Sequence, residues 1–375
     1  MDSVNILIIG GGVVGCAIAE ALSRRWQDVF LVEQFPKLGM STSTRNSGVI
    51  HSGIYYPKNS LKARLCLEGN RLTKEFCAKH NVVHRNCGKL VVAKSKEEEP
   101  QLLALLKKGQ ENGVEGLEIL NASGIRAKEP HVQGTLALHV PSTGICSAEE
   151  LVHAYARVAQ QQGANLLTHS KIVALQPSGD GMRVTLKIGD EDHAETEIVE
   201  ARCVINAAGL YADEIANLLG PRPWKIYPVR GEYCEVRGAQ AGLVSNLVYP
   251  LPHPDGLSLG LHFTKTLWGT LLLGPTAKYV DAKDNYERGR MTISEFAEDV
   301  RQMVPEIEEH DLQLAYTGIR PKLVPPSGHG IADFVIERDR EVRQVIQLVG
   351  IESPGLTAAP AIASYVSSLV EEVLN

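Results

Sequence analysis

The sequence predicts an α/β fold with a parallel sheet, a β-meander and a second, α+β region built on a mainly antiparallel sheet. Three observations predict it. A strand, a glycine-rich turn, a helix and a second strand open the chain at 4–33, three short strands separated by polar turns follow at 166–201, and alternating polar and apolar residues recur through 225–315. The first pattern is typical of a parallel sheet, and the other two are typical of antiparallel pairing.

The opening unit has a specific glycine spacing. An apolar run at 4–9 is followed by Gly10, Gly12 and Gly15 in the pattern G-x-G-x-x-G, then by a helical repeat and a second apolar run that ends at Glu33. Gly10 permits the tight turn, Gly12 lets a pyrophosphate approach the backbone, and Gly15 lets the helix pack on the strand. Glu33 is placed to accept a hydrogen bond from a ribose hydroxyl. The unit therefore predicts a Rossmann-type dinucleotide-binding domain.

The composition is that of a globular protein, and the length suggests two or three domains. The 375 residues carry 38 Lys and Arg against 44 Asp and Glu, a formal net charge of −6. This balance excludes a general basic surface of the kind that binds nucleic acid. No apolar run reaches the roughly 20 residues of a membrane span.

The cysteines and the first residues bear on the compartment. Seven cysteines lie at scattered positions without a C-x-x-C pair, which indicates a reducing compartment, with neither structural disulfides nor a metal site. Met1, Asp2 and Ser3 lack the cationic region of a signal peptide. We therefore expect a cytoplasmic protein, or one that is peripheral at the inner face of the membrane.

The remaining elements follow from periodicity and capping residues. Helices are predicted at 61–79, 97–112, 148–162, 295–303 and 359–374, the third of them opened by a capping box at 147–150. The first of these helices carries Lys62 and Arg64, which are expected to be solvated surface charges. Strands are predicted at 89–93, 166–175, 182–188, 196–201, 203–207, 227–236, 257–263, 270–273, 333–337 and 345–350.

Three further segments bear on which dinucleotide is bound. The apolar strand after the meander ends at 206–209 and resembles the second flavin-contacting stretch of FAD-dependent oxidoreductases. Small residues at 350–357 precede the terminal helix, whose N-terminus can stabilise a reduced flavin ring, although an ordinary loop and helix cap fits this segment equally well. The polar stretch 43–51 follows Glu33, where such flavoproteins place the path from adenosine to isoalloxazine.

Together these segments resemble the FAD-dependent D-amino-acid oxidase superfamily, which includes glycine oxidase, sarcosine oxidase and glycerol-3-phosphate dehydrogenase. The resemblance covers nearly the whole chain. It implies a discontinuous FAD-binding domain at 1–85, 145–224 and 316–375, and a substrate-binding domain at 86–144 and 225–315. Five collinear motifs are similar to the L-2-hydroxyglutarate dehydrogenase/oxidase branch, at 45–56, 60–66, 259–264, 318–323 and 333–336.

The resemblance implies FAD-dependent oxidation of L-2-hydroxyglutarate to 2-oxoglutarate, by hydride transfer from C2 to flavin N5. The hydroxyl proton needs a base, and His51 and His262 are both candidates because both lie in motifs expected to border the flavin. Arg320 is expected to grip one substrate carboxylate, Lys322 the second, and Tyr55 to donate a hydrogen bond or line the ring. The competing interpretations are an interdomain ion pair for Arg320, a solvated surface position for Lys322 and simple packing for Tyr55.

The expected FAD contacts come from the glycine turn, the two segments that follow it, the end of the post-meander strand and the start of the terminal helix. They are Gly10, Gly12, Val13, Val14, Gly15, Glu33, Gln34, Thr42, Ser43, Arg45, Asn46, Ser47, Gly48, Val49, Ala207, Ala208, Gly209, Gly355, Leu356 and Thr357. No cysteine lies at 316–322 or 351–357, so the FAD is expected to be bound non-covalently.

Two other functions fit the sequence. An amine or amino-acid oxidase of the glycine/sarcosine oxidase type would use the same fold and the same arginine. A non-catalytic dinucleotide-binding protein would keep the cofactor without turnover. For the oxidoreductase, the expected partners are a small 2-hydroxy acid and an electron acceptor, which is a quinone, oxygen or an electron-transfer protein; no nucleic acid is expected.

Overall fold

The computed structural model describes residues 2–190, 193–252 and 259–375. Its helices in these ranges are α1 Val13–Ser23, α2 Leu61–His80, α3 Glu99–Glu111, α4 Ala122–Lys128, α5 Ala148–Gln161, α6 Ala212–Asn217, α7 Ile293–Val300 and α8 Gly355–Leu374. All seven cysteines are free thiols. None of the helices in the described ranges is long and apolar enough to cross a bilayer.

The strands form two large sheets and one small one. In chain order they are β1 Asp2–Ile9, β2 Val29–Val32, β3 Val49–Ile50, β4 His84–Arg85, β5 Lys89–Ala93, β6 Glu118–Asn121, β7 Leu136–Val140, β8 Gly144–Cys146, β9 Asn165–Leu167, β10 Ser170–Ser178, β11 Gly181–Ile188, β12 Glu195–Asn206, β13 Tyr227–Val236, β14 Leu247–Pro250, β15 His262–Lys265, β16 Leu271–Gly274, β17 Lys278–Tyr279, β18 Leu312–Lys322, β19 Val335–Arg338 and β20 Val345–Val349. β3, β4 and β8 make up the small sheet.

The first large sheet has a parallel centre, as predicted. β12, β1, β2 and β9 pair side by side in parallel, and β20 pairs in parallel with β12. Ile6 and Ile8 of β1 pack with α1, α5 and α8, whereas Leu7 and Ile9 pack with the meander strands on the opposite face. A parallel sheet covered on both faces needs a strand with apolar residues on both faces, which explains Val4 and the apolar run at 6–9.

The meander is present as β10, β11 and β12, but two of its predicted boundaries are wrong. The predicted strand 166–175 is two strands, because the chain turns at His169 (φ +56°) and leaves the parallel edge at β9 to pair with β11. The predicted strands 196–201 and 203–207 are the single strand β12, which pairs first with β11 and then with β20. The polar turn predicted between the strands 182–188 and 196–201 lies partly outside the described residues.

The second large sheet is mainly antiparallel, as predicted, with one parallel pair between β5 and β14 among its described strands. Alternation along the strands separates two faces. Phe263 and Leu273 join the apolar core around α7, whereas His262 and Arg320 point to the opposite side, where the sheet borders a cavity. β18 pairs along β13 in this sheet, so residues 316–322, expected in the FAD-binding domain, lie in the second sheet; the division into domains stays a prediction.

Several helix and strand ends also differ from the predictions. α8 begins at Gly355 rather than 359, because Ala358 N–H already bonds to the Pro354 carbonyl. α3 begins at 99 rather than 97, after a 3₁₀ turn, and α7 spans 293–300 rather than 295–303. The predicted strand 257–263 begins at 262 in the structure, and 257–258 lie outside the described residues.

Half of the predicted capping box of α5 forms. The Ser147 hydroxyl accepts a hydrogen bond from the Glu150 N–H, as expected for an N-cap. The Glu150 carboxylate does not return to the cap residue; it accepts from the Val83 N–H at 2.9 Å and ties the segment after α2 to α5. Tertiary contact has taken the place of the reciprocal local bond.

We expect Gly15→Ala to lower the free energy of unfolding by about 2 kcal/mol, as overpacking of a tight core contact does. A Cβ at this position would lie 1.9 Å from the Gly10 carbonyl oxygen, a backbone atom that cannot swing aside. Urea denaturation measures the change. Gly242→Ala is the matched control, because its Cβ would meet nothing within 4 Å; equal stability of the two variants would show that α1 and β1 need no close packing.

Candidate active site

A continuous groove runs between the two large sheets. Its first part, about 360 Å³, extends from Glu33 along the glycine turn, and its second, about 250 Å³, reaches the histidines and cationic side chains of the second sheet. Both parts are lined by Gly12, Thr42, Ser43, Ala207 and Gly209, so they are two ends of one space. A long molecule with a polar and an aromatic end fits this shape better than a compact one.

The glycine turn closes the first end. Gly10 has a φ of +112°, and a Cβ there would lie 2.5 Å from the Ala207 carbonyl oxygen, so the turn sits directly against the end of β12. The Glu33 carboxylate accepts hydrogen bonds from the Gly11 and Phe35 N–H groups at 2.6 and 2.8 Å. Burial raises the pKa of this carboxyl, although these backbone N–H groups act in the opposite direction.

His262 begins β15 and is buried against Tyr249, with the two rings stacked at a centroid distance of 3.6 Å. Its Nδ1 lies 2.8 Å from the Gly260 carbonyl oxygen. Because a carbonyl only accepts hydrogen bonds, Nδ1 carries the proton and Nε2 is the nitrogen with the free lone pair. Burial, with smaller contributions from Lys89 and Arg320, lowers the pKa of His262 to about 3, so the ring is neutral at pH 7.

His51 lies on the loop after β3. Its backbone N–H donates to the Thr357 hydroxyl at the start of α8, and its Nε2 lies 3.2 Å from the Ser353 hydroxyl. Its buried Nδ1 has no hydrogen-bond partner among the described residues. Burial, followed by the charge of Lys89, lowers the pKa of His51 to about 3. Unlike His262, this ring has no carbonyl contact that decides which nitrogen carries the proton.

Arg320 projects from β18 into the groove. Its Nη1 donates to the Thr276 carbonyl at 3.0 Å, and none of the described carboxylates pairs with it. A Cβ at Gly231 on the neighbouring strand would lie 2.8 Å from Nη2, so the missing side chain makes room for the guanidinium. A half-buried guanidinium with free donors is suited to a planar carboxylate ligand.

Two lysines and a glutamate lie beside this arginine. Glu352, in the loop before α8, contacts Lys62 Nζ at 2.9 Å and Lys322 Nζ at 3.5 Å, and all three side chains are less than 10% exposed. Burial lowers the pKa of Lys322. Lys62 was expected on the surface, and that expectation is wrong; Arg64, two positions along α2, is exposed as predicted.

Lys89 is buried behind the groove without a carboxylate partner in the described part of the chain. Its Nζ lies 3.1 Å from the Tyr55 hydroxyl and sits over the rings of Tyr55 and Tyr249, at 4.4 and 4.7 Å from their centroids. Burial lowers the pKa of Lys89 to about 7. Aromatic faces and one hydroxyl replace the water that a lysine normally keeps.

Comparison with known proteins identifies the family of the chain. The sequence pattern of the DAO family, FAD dependent oxidoreductases, matches residues 5–369. The chain belongs to this family of FAD-dependent oxidoreductases. The mitochondrial L-2-hydroxyglutarate dehydrogenase of Bos taurus is 32% identical, over 99% of this chain and 89% of that protein. The L-2-hydroxyglutarate dehydrogenase of Escherichia coli K12 is 30% identical, over 99% and 94%.

Solved structures of similar fold include two oxidases. The dithionite-reduced L-α-glycerophosphate oxidase of Mycoplasma pneumoniae with FAD bound superposes with a TM-score of 0.87 at 27% identity, covering 99% of this oxidoreductase and 95% of that chain. Glycine oxidase from Geobacillus kaustophilus gives 0.82 at 21% identity, over 99% and 95%, a likeness of fold. The predicted α/β architecture with a Rossmann-type unit is thereby confirmed.

The groove of the oxidoreductase fits FAD. A Cβ on Gly12 would approach only the Ser43 side chain, so the backbone here is open to the groove. The first turn of α1 holds no acidic residue, and the N–H of its first residue, Val13, bonds to the neutral Ser43 hydroxyl at 2.9 Å, so this helix N-terminus suits a pyrophosphate. The described residues contain no group of three or more His, Cys, Asp and Glu side chains that could hold a metal ion.

The structure brings the predicted site residues of the oxidoreductase together. His51, His262, Arg320, Lys322 and Tyr55 all line the second part of the groove. Most of the expected cofactor contacts line one part or the other: Gly10, Gly12, Val13, Val14, Glu33, Gln34, Thr42, Ser43, Arg45, Asn46, Ser47, Val49, Ala207, Ala208, Gly209, Gly355 and Leu356.

Three expected cofactor contacts do not line the groove but support it. Gly15 lets α1 approach Gly10, and a Cβ on Gly48 would lie 2.3 Å from the Cys146 carbonyl oxygen. The Thr357 hydroxyl accepts from His51 N–H and donates to the Val49 carbonyl. These three residues shape the groove indirectly, because they allow or fix close backbone contacts beside it.

Sequence reasoning missed Lys62, Lys89, Tyr249 and Glu352. Two of the three charged members have a weak signal in the sequence: Lys89 opens an otherwise apolar strand, and Glu352 stands alone among small and apolar residues before α8. A charged residue within an apolar segment indicates a functional position, because burial of an unpaired charge is costly and needs a compensating reason.

We expect Lys89→Met to change how stability depends on pH. An unfolded lysine holds its proton up to about pH 10.4, whereas the buried ammonium has a pKa of about 7. Between these values the unfolded chain binds the extra proton, so this group makes the wild type more stable as pH rises. Relative to the variant, the wild type should gain about 3 kcal/mol between pH 7 and pH 10, by proton linkage.

Urea denaturation at several pH values measures the effect of Lys89. Lys79→Met, which removes an exposed lysine from α2, is the matched control and should track the wild type at every pH. A stability difference between Lys89→Met and wild type that does not change with pH would contradict the prediction, because it would mean that Lys89 keeps its proton throughout.

Proposed function

We propose that this FAD-dependent oxidoreductase converts L-2-hydroxyglutarate to 2-oxoglutarate. The observation that carries the proposal is the arrangement of one groove: a histidine whose acceptor nitrogen is fixed, an arginine without a carboxylate partner among the described residues, and two lysines within one buried cluster. A 2-hydroxy dicarboxylate needs these three kinds of group. The curated relatives that are 30–32% identical over 99% of the chain are named for this activity.

The residues are assigned roles by what their atoms can do. Arg320 holds the carboxylate next to the reacting carbon, and Lys322 holds the second carboxylate. His262 accepts the hydroxyl proton at Nε2, because Nδ1 is committed to the Gly260 carbonyl. Bound FAD supplies the hydride acceptor. His51 is the second candidate for the base, and Tyr55, whose hydroxyl accepts from Lys89, closes the wall beside it.

We assign FAD an orientation along the groove, with its adenosine end in the first part and its flavin end in the second. The glycine turn and Glu33 hold the adenosine and pyrophosphate end, and 42–49, 207–209 and the start of α8 hold the flavin end, without a covalent link. Gly355 and Leu356, at the N-terminus of α8, line this end of the groove, and the positive end of the helix dipole favours the charge of a reduced flavin. A quinone, oxygen or an electron-transfer protein takes the electrons, in the cytoplasm or at the inner membrane face.

The first experiment is anaerobic mixing of the purified protein with L-2-hydroxyglutarate while the visible spectrum is recorded. Rapid loss of the flavin band at about 450 nm would support both cofactor and reaction, since hydride transfer bleaches the ring. A persistent band would reject this substrate, and bleaching by glycine, sarcosine or D-amino acids instead would assign an amine oxidase. A band that none of these compounds bleaches would favour a non-catalytic dinucleotide-binding protein.

A further inference from the structure

We propose that Lys62 and Glu352 determine the substrate specificity of the oxidoreductase, by giving the groove a net charge that selects a dianionic acid over a monoanionic one. The inference rests on the proposed function, since it concerns the second carboxylate of the same substrate. It adds two residues that the sequence motifs did not assign to the site: a lysine expected on the surface and a glutamate that lies between two lysines.

The first step is the position of Lys62, which several contacts fix. Asp333 accepts hydrogen bonds from the backbone N–H groups of Leu61 and Lys62, at 2.7 and 2.9 Å, and so holds the first turn of α2. The Lys62 ammonium lies 5.3 Å from the centre of the Phe334 ring and 2.9 Å from Glu352 Oε1. With 2% of its side chain exposed, Lys62 is a fixed part of the groove wall.

The second step is the charge of the cluster. Lys62, Lys322 and Arg320 supply three positive charges, and Glu352 is the carboxylate paired with these lysines in the described structure. Burial by itself would raise the pKa of Glu352, but the neighbouring cations hold it below its ordinary value, so it is ionised at neutral pH. The cluster therefore carries two net positive charges that no described group neutralises.

The third step is selection by charge. In a buried site, an uncompensated charge is costly, because little water is left to screen it. A dianion that enters the cluster cancels both charges, whereas a monoanion leaves one. Discrimination then comes from a penalty against the wrong ligand as well as from contacts with the right one. The ligand class is a small dianion, either a dicarboxylate or a phosphate monoester.

The test compares L-2-hydroxyglutarate, its monoanionic analogue L-2-hydroxybutyrate and the phosphate monoester glycerol 3-phosphate, in the FAD-loaded protein. Lys62→Met should raise the KM for L-2-hydroxyglutarate about tenfold or more with little change in kcat, and should not raise the KM for L-2-hydroxybutyrate, because this monoanion then leaves no uncompensated charge. The double variant Lys62→Met with Glu352→Gln restores two net positive charges and should recover most of the loss. Lys79→Met, exposed on the same helix, is the control.

Equilibrium binding of 2-oxoglutarate and 2-oxobutyrate, measured by calorimetry, gives a readout that needs no turnover and should show the same pattern. Equal weakening of both acids by Lys62→Met, or no recovery in the double variant, would overturn the inference, because a structural role predicts that outcome. Wild-type turnover of glycerol 3-phosphate but of no 2-hydroxy acid would support charge selection while contradicting the proposed function. Wild-type binding that does not distinguish dianions from monoanions would contradict charge selection alone.

Discussion

His262→Gln should lower kcat for L-2-hydroxyglutarate by roughly 100- to 10,000-fold, the range that general base catalysis contributes. Glutamine can still donate to the Gly260 carbonyl, but its side chain offers no basic nitrogen to the groove. FAD content and thermal stability should remain those of the wild type, because His262 contacts the substrate end of the groove. Stopped-flow reduction of the flavin under anaerobic conditions measures the step directly.

The pH profile provides a second check on His262. Burial lowers the pKa of His262 to about 3 in the free protein. The base is therefore already unprotonated at neutral pH, and kcat/KM should not show a limb at the ordinary histidine pKa of about 6.5. His51→Gln is the comparison variant, because burial also lowers the pKa of the His51 ring to about 3. If that substitution abolished flavin reduction and His262→Gln did not, the base would be His51.

Arg320→Met should reduce kcat/KM by about 100-fold or more, a loss near 3 kcal/mol, as when one partner of a buried charged hydrogen bond is removed. The loss should be similar for L-2-hydroxyglutarate and L-2-hydroxybutyrate, because both carry the carboxylate that Arg320 binds. This separates it from Lys62, whose removal should weaken binding of the dianion alone. Steady-state kinetics with both acids measures the difference.

Arg64→Met is the matched control for Arg320, because Arg64 is exposed on α2 and lines neither part of the groove. Arg320→Lys should recover only part of the activity, since an ammonium cannot make two parallel hydrogen bonds to one carboxylate. Unchanged KM values in Arg320→Met would assign Arg320 to an ion pair or packing role, the interpretation that competes with substrate binding.

The fold was predictable where local pattern and tertiary structure agree. The run at 4–9, the three glycines and Glu33 form one strand–turn–helix unit whose parts are neighbours in sequence, so spacing alone predicted it. The boundary errors arose where partners are distant. Nothing local shows that β12 continues through 202, because β12 is held in register by β1 along one edge and by β11 and then β20 along the other.

The site was predictable residue by residue but not as an arrangement. Motifs singled out His51, His262 and Arg320, and the structure places all three in one groove. The burial of Lys62 was missed because α2 has polar residues on most of its surface, and only Asp333 and Glu352 show that this end of the helix enters the groove. Such contacts join positions about 300 residues apart, and periodicity has no information at that range.

The groove draws its groups from chain segments that lie far apart, from Gly12 in the glycine turn through His262 and Arg320 to Glu352 in the loop before α8. No single fragment of the polypeptide holds the whole groove, so full cofactor binding requires the completed fold. A dinucleotide that binds only the finished structure raises its stability by mass action. The supply of the vitamin from which FAD is made should therefore set the steady-state abundance of destabilised variants. Added vitamin should raise the abundance of variants with substitutions remote from the groove as readily as that of variants within it.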